Sequence, residues 1–238
     1  MKLLKCIAIY FFDLIDKYFH QKRIIKSLKK NKIAISTFID VGAHKGLYTD
    51  LINKNFKLKK IFMFEPQANI YKFLKNKYKK NKKISIFNNA LSNKKSINKL
   101  NINYHDLTSS LSELDENNLY LKLKSKLFGT TSKNIVYKKE KVKTFKLDDI
   151  ILKKKINKID LIKIDTEGHE MQVLEGLKKK IKTVRCLLIE FHNDTIYLKY
   201  KPKKIHSYLI KNNFILQERL KFPFTTWEDR IYLNKNYK

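Results

Sequence analysis

Two cysteines, three prolines and four arginines are all of those types that the 238 residues contain. Cys6 and Cys186 stand far apart and form neither a disulfide framework nor a metal pair, so a reducing, cytoplasmic setting is the default. No run of 18 or more apolar residues occurs, and a conventional membrane span is not expected. Acids are scarce too: 22 against 53 lysines and arginines, a formal net charge of +31. Such a balance suggests a nucleic-acid or anionic-membrane partner. Purpose-built phosphate and base recognition, however, leans on the guanidinium fork, which only Arg23, Arg185, Arg219 and Arg230 supply. The lysines are dispersed and accompanied by many Asn and Ile, residues with A/T-rich codons. A solvated surface coloured by genome composition stands beside the polyanion reading, and nucleic acid is the less favoured partner.

What is present suits a folded domain with an appendage. Hydrophobic residues make up 43% and aromatics 12%, enough for a real core. Leu4, Ile7, Phe11, Ile15 and Tyr18 repeat at helical spacing, and no small-residue cleavage site follows them. Residues 1–32 therefore read as an amphipathic helical segment. It either packs on the domain or lays its apolar face on lipid, with Lys22, Arg23, Lys26, Lys29 and Lys30 meeting headgroups. That second option adds peripheral membrane contact through residues 1–30 to a cytoplasmic localisation.

From residue 33 to 238 short apolar runs alternate with helical stretches. Strands are expected at 33–41, 61–64, 84–88, 159–164, 185–191, 214–218 and 231–233, and helices at 47–55, 69–79, 169–179 and 203–211. This is an α/β pattern: a mostly parallel, doubly wound sheet with a C-terminal antiparallel edge hairpin and an N-terminal helix. Residues 92–146 break the alternation, with strands at 96–104 and 134–145 around a helix-prone stretch at 113–126. An insertion of this size is a natural lid or substrate-selecting element.

The most informative segment runs from Phe38 to Thr49, a strand entering a glycine turn and a helix. Read from Gly42, a dinucleotide fingerprint would need glycine where His44 and Leu47 stand, and no Walker loop occurs, so NAD, FAD and nucleoside triphosphates are disfavoured. Carboxylates then fall at expected strand ends: Asp40, Glu65, Asp165 and Glu190. Each alone reads as a solvated turn or helix cap. Four together in so basic a chain point to a cationic or hydroxyl-rich ligand above the strand ends. Glu65, nineteen residues past Gly46, stands near the spacing at which an acid grips ribose hydroxyls.

S-adenosylmethionine, a sulfonium with a ribose and no phosphate, fits such a pocket. The blocks Phe38–Thr49, Phe64–Pro66, Asn89–Ser92, Thr144–Asp149, Ile164–Glu170, Val173–Gly176 and Ile189–His192, in that order, resemble the signature of the FkbM-type methyltransferases. The resemblance implies a Rossmann-like class I methyltransferase fold and O-methylation of a hydroxyl on a sugar, glycan or related small molecule. It implies that Asp40, Gly42, Ala43, His44 and Gly46 surround the cofactor's methionine and ribose. Glu65 with Pro66 would take the ribose hydroxyls, Asn89 and Ala90 would flank the adenine, and Asp165 would lie beside the sulfonium. His44 departs from the family, which more often has Asn.

An alcohol acceptor is a weak nucleophile and is helped by a general base. His192 is the candidate, with Asp165, Glu190 and Glu167 as neighbours; a hydrogen-bonded structural histidine is the other reading of His192. Asp165, Glu167, His169, Glu170 and His192 also suggest a metal set. The same residues read as a strand end capping a helix, and no metal is expected. Two alternatives of function remain. An RNA ribose methyltransferase would use Lys163 and Asp165, whereas the Asp/Asn-Pro-Pro-aromatic tetrapeptide of base-amino methylation is absent. A non-catalytic basic module that binds membranes or polyanions on a methyltransferase scaffold is the other.

Overall fold

The computed structural model describes residues 14–103, 109–127, 129–223 and 225–237. Residues 1–13, which carry Cys6 and most of the N-terminal apolar repeat, lie outside the described residues. A π-helical turn, Asp16–His20, leads into α1 (Gln21–Lys30). Then follow β1 (Thr37–Val41), α2 (Leu47–Asn55), β2 (Lys60–Phe64), α3 (Ala68–Lys77), β3 (Ile84–Phe87), β4 (Ala90–Leu91) and β5 (Ser96–Asn103). The chain continues through α4 (Leu119–Leu127), β6 (Val136–Phe145), α5 (Leu147–Lys153), β7 (Ile159–Ile164) and α6 (Glu170–Glu175). It ends with β8 (Val184–His192), α7 (Pro202–Lys211), β9 (Phe214–Lys221) and β10 (Trp227–Asn234).

Seven strands form one sheet in the order β3-β2-β1-β7-β8-β10-β9. The first five are parallel; β10 runs antiparallel to both β8 and β9, which makes the expected edge hairpin. Alternation along each strand divides the apolar residues between two cores. Ile39, Phe62, Ile162, Leu187 and Ile189 pack against Ile151 of α5, Val173 of α6 and Leu209 of α7. On the opposite face Phe38, Ile61, Leu161, Cys186 and Leu188 pack against Ile24 and Leu28 of α1, Ile52 of α2 and Leu74 of α3. Central strands covered on both sides must be apolar throughout, and every residue of β7 is buried.

The apolar face of α1 is thus part of the core, with Lys22, Lys26, Lys29 and Lys30 outward and Arg23 donating to the Lys221 carbonyl at 3.0 Å. Over residues 21–30 the packed-helix reading holds. Among the described residues no helix is long and apolar enough to cross a membrane.

Of the boundaries that differ from expectation, two have identifiable reasons, while β9 and β10 run longer than the 214–218 and 231–233 expected. The first strand begins at Thr37, not residue 33, because the Asp160 carboxylate takes the Ser36 and Thr37 amides at 2.9 and 3.0 Å. The helix expected to reach residue 179 ends at Glu175. The Lys179 and Lys180 amides turn away to the Asp148 carboxylate at 2.8 and 2.9 Å instead of continuing the helical ladder.

Residues 92–146 contribute β5 and β6, which pair antiparallel, and β4 just before them completes a separate three-stranded sheet, β4-β6-β5. Helix α4 is tied down through Leu121, which packs with Ile135, Ile196 and Tyr197.

Candidate active site

Register brings the expected strand-end residues to one rim. Val41 lies opposite both Phe64 and Ile164, and Ile164 opposite Ile189. The next residues along are Gly42, Glu65, Asp165 and Glu190, side by side. Asp40 sits one residue inside β1, buried, with its Oδ2 accepting from Thr49 Oγ1 of α2 at 2.7 Å. The glycine turn is closely fitted to this rim. Gly42 has φ +79°, and a Cβ there would lie 1.8 Å from the Asp165 carbonyl oxygen. His44 also takes a left-handed φ of 43°, which aims its amide at Glu65.

The Glu65 carboxylate braces two loops. Oε2 accepts from the His44 amide at 2.9 Å and Oε1 from the Gln67 amide at 2.7 Å. Asn88 fixes the same loop by donating to the Glu65 and Pro66 carbonyls, both at 3.0 Å. Above the rim opens a cleft of about 690 Å³. Of the residues singled out from sequence, Gly42, His44, Glu65, Pro66, Asn89, Ala90, Asp165 and Glu167 line it. Asp40, Ala43, Gly46, Glu190 and His192 are not in its lining: Ala43 faces the core, and Gly46 lies under the Tyr78 ring. The insertion closes another side with Leu100 and residues 109–111. Ser110 anchors that wall, its Oγ donating to the Glu167 carbonyl at 2.5 Å.

The electrostatics follow from burial and pairing. Lys163, 2% exposed, sets its Nζ 2.6 Å from Asp165 Oδ2. Burial disfavours its charge, but Asp165, Asp229 and Asp40 outweigh that and raise its pKa. For Asp165 burial works upward, and the Lys163 ammonium overcomes it, so this carboxyl titrates below its usual range. Asp40 is raised by burial, against the pull of Lys163 and the Thr49 hydrogen bond. Glu190 is raised well above its usual range by burial and then by Asp165.

His192 Nε2 lies 3.2 Å from Glu190 Oε2 and 3.7 Å from Glu167 Oε2. Burial opposes its protonation, yet the two carboxylates push its pKa up to about 10. A ring that carries both protons has no lone pair to offer, which favours the reading of His192 as a structural ion-pair partner over that of a general base. Tyr197 Oη donates a short hydrogen bond to Glu167 Oε2, a contact with no signal in the sequence. Glu167, Glu190 and His192 are, among the described residues, the one set whose donor atoms come within metal-ligand reach of each other. Of the wider set, His169 pairs with Ser92 Oγ at 3.0 Å, and Glu170 accepts the Thr166 and Gly168 amides, as a helix cap does.

Burial alone lowers His169 to about 4. The folded state thus binds its proton less readily than the unfolded chain, in which the ring titrates near 6.5. The neutral ring's contribution is complete above about pH 7 and is lost as pH falls from there toward 4, by on the order of 3 kcal/mol. Urea midpoints should fall less steeply between pH 7 and 4.5 in His169→Gln than in the parent; identical slopes would show that His169 is not the group responsible.

Residues 40–216 match the methyltransferase FkbM domain, about three-quarters of the chain. The chain belongs to the FkbM methyltransferase domain family. The FkbM match begins inside β1 and ends in β9, so α1 and all of β10 flank it. The fold agrees with the FkbM methyltransferase of Methylobacillus flagellatus at a TM-score of 0.53 and 17% identity, over 84% of this chain and 43% of that one. A 51-residue stretch is 31% identical to the hexuronic acid methyltransferase AglP of Haloferax volcanii, 21% of either chain. The chain thus spans less than half of the solved FkbM relative and matches about a fifth of the curated one.

Proposed function

We propose that this FkbM domain is an S-adenosylmethionine-dependent O-methyltransferase acting on a hydroxyl of a sugar or glycan. One observation carries the reading. In a chain of net charge +31, the cleft at the strand ends is lined by Glu65, Asp165 and Glu167 and, among the described residues, by no lysine or arginine. Such a wall favours a cation and repels phosphate. S-adenosylmethionine, when bound, supplies a methyl group on a positively charged sulfur that leaves as a neutral thioether.

The residues divide the work by position. Glu65, whose carboxylate braces the His44 and Gln67 amides at the cleft wall, holds the ribose hydroxyls. Asn89 and Ala90 flank the adenine, and Gly42 lets the chain approach without a side chain. Asp165, kept anionic by Lys163, faces the sulfonium. Because the reaction is a displacement at carbon, holding acceptor oxygen, methyl and sulfur in line is most of the catalysis. The acceptor's proton passes to a carboxylate at the cleft wall, Asp165 or Glu167, rather than to the protonated His192. The wall built by residues 109–111 selects the acceptor. A sugar hydroxyl is the preferred class because a stretch of the chain resembles a hexuronic acid methyltransferase.

Incubation with methyl-labelled S-adenosylmethionine and separate pools of cell-envelope glycans, lipid-linked saccharides and RNA tests this reading. Label is expected in a saccharide pool. Label in RNA alone would overturn the acceptor class.

A further inference from the structure

Two acids of the rim have no lysine or arginine within ion-pair distance among the described residues, in a chain that holds 53 of them. Glu167, in the turn after β7, and Glu190, near the end of β8, share the His192 ring instead. That residue is 5% exposed. Edge-on contacts with the Tyr197 and Tyr200 rings, centroids 5.0 and 5.7 Å away, fix the plane of the imidazole, and Tyr200 Oη takes the His192 amide at 3.3 Å. Nε2 is thereby aimed between the carboxylates, 3.2 Å from Glu190 Oε2 and 3.7 Å from Glu167 Oε2. Both Nε2 and Glu190 Oε2 are buried, yet neither completes a hydrogen bond among the described residues. Buried polar atoms left in that state call for a further partner.

The separations are those of donors that share an ion. Atoms bound about 2.1 Å from one centre stand about 3.0 Å apart in adjacent positions and about 4.2 Å apart in opposite ones. Here the three donor atoms all lie within 4.8 Å of one another, so small side-chain movements close the set. Two carboxylates and a neutral imidazole carry two negative charges, which a divalent ion cancels. We propose that Glu167, Glu190 and His192 bind a divalent first-row transition ion in the wall of the cleft. This departs from the expectation drawn from the sequence. An imidazole beside two carboxylates suits Mn²⁺, Fe²⁺ or Zn²⁺ better than Mg²⁺ or Ca²⁺, which prefer oxygen alone. The ion takes the place of the ring's second proton. Tyr197 Oη, bonded to Glu167 Oε2, orients that ligand. Three protein donors leave coordination positions open, and Glu167 alone of the three lines the cleft, so the open side is the cleft side. An acceptor hydroxyl bound there becomes a stronger acid. Its proton passes to Asp165, its oxygen bonds the methyl carbon, and the carbon–sulfur bond breaks with its electrons left on sulfur. That role rests on the proposed function above; the ion site itself does not.

Titration of Mn²⁺ into the chelator-treated full chain at about pH 8, with free Mn²⁺ read from its electron paramagnetic resonance, tests the site. One ion per chain is expected, displaced by Zn²⁺ but not by an equal concentration of Mg²⁺. The bound signal should carry nitrogen coupling from a single imidazole, a readout that needs no variant. Glu190→Gln and His192→Gln should each weaken binding by about a hundredfold, and Tyr197→Phe by about tenfold. Asp149→Asn, at a half-exposed acid on α5, should leave the affinity unchanged. No stoichiometric uptake by the folded chain, uptake without nitrogen coupling, or undiminished affinity in Glu190→Gln and His192→Gln would overturn the site. Ion binding by a chain that takes up no S-adenosylmethionine would support the site and overturn the donor reading alone, so the two failures are distinct.

Discussion

Glu65→Ala should lose S-adenosylmethionine affinity by about a hundredfold or more. Two hydrogen bonds donated by ribose hydroxyls to a carboxylate are worth about 1.5–3 kcal/mol each, or roughly 3–4 kcal/mol together after desolvation. The same substitution strips the acceptors from the His44 and Gln67 amides, which lie at 2.9 and 2.7 Å in a residue only 3% exposed. Orphaning buried donors costs about 1–3 kcal/mol each, so the melting temperature should fall too. Glu65→Gln separates the two effects. Its amide oxygen still accepts one main-chain N–H while its NH₂ opposes the other, so most of the stability should return and affinity only in part. If Glu65→Ala binds the donor as tightly as the parent, Glu65 is a loop brace and nothing more.

The largest loss of stability is expected from Gly42→Ala. At φ +79° an alanine pays about 1–2 kcal/mol for the left-handed backbone. The added Cβ would also lie 1.8 Å from the Asp165 carbonyl oxygen, so the turns after β1 and β7 must separate. Together these should cost about 3–5 kcal/mol and spoil the cleft, because the same movement displaces Asp165. Gly129→Ala is the control. It shares a positive φ of 72°, but nothing lies within 4 Å of its added carbon, so about 1 kcal/mol is expected. Denaturant midpoints for the two variants decide the matter. Equal losses would mean that the fit between the two turns contributes little.

The parts of this site written in local pattern were legible in the sequence. The strand–turn–helix at Phe38–Thr49 and the acids after β2 and β7 depend on alternation and glycine placement within a few residues. Sheet register then turns those local positions into a common rim. What could not be read depends on contacts between distant segments. Nothing near Asp148 announces that it will take the amides of Lys179 and Lys180 and so shorten α6. The upward push on the His192 pKa comes from Glu190 and Glu167 meeting it in space, and a histidine at a strand end looks the same with or without them. Lys163 sits in a run of β-branched and apolar residues where a lysine is anomalous. That anomaly was the available clue to its buried ion pair with Asp165.

Central to this account is the proposal that an acid-lined cleft, without lysine or arginine among the described residues, holds a sulfonium donor. Calorimetric titration of the folded chain with S-adenosylmethionine at neutral pH tests it most directly. One molecule bound per chain, with Asp165→Asn weakening it, is the predicted result. A well-folded chain that takes up no S-adenosylmethionine would contradict the account.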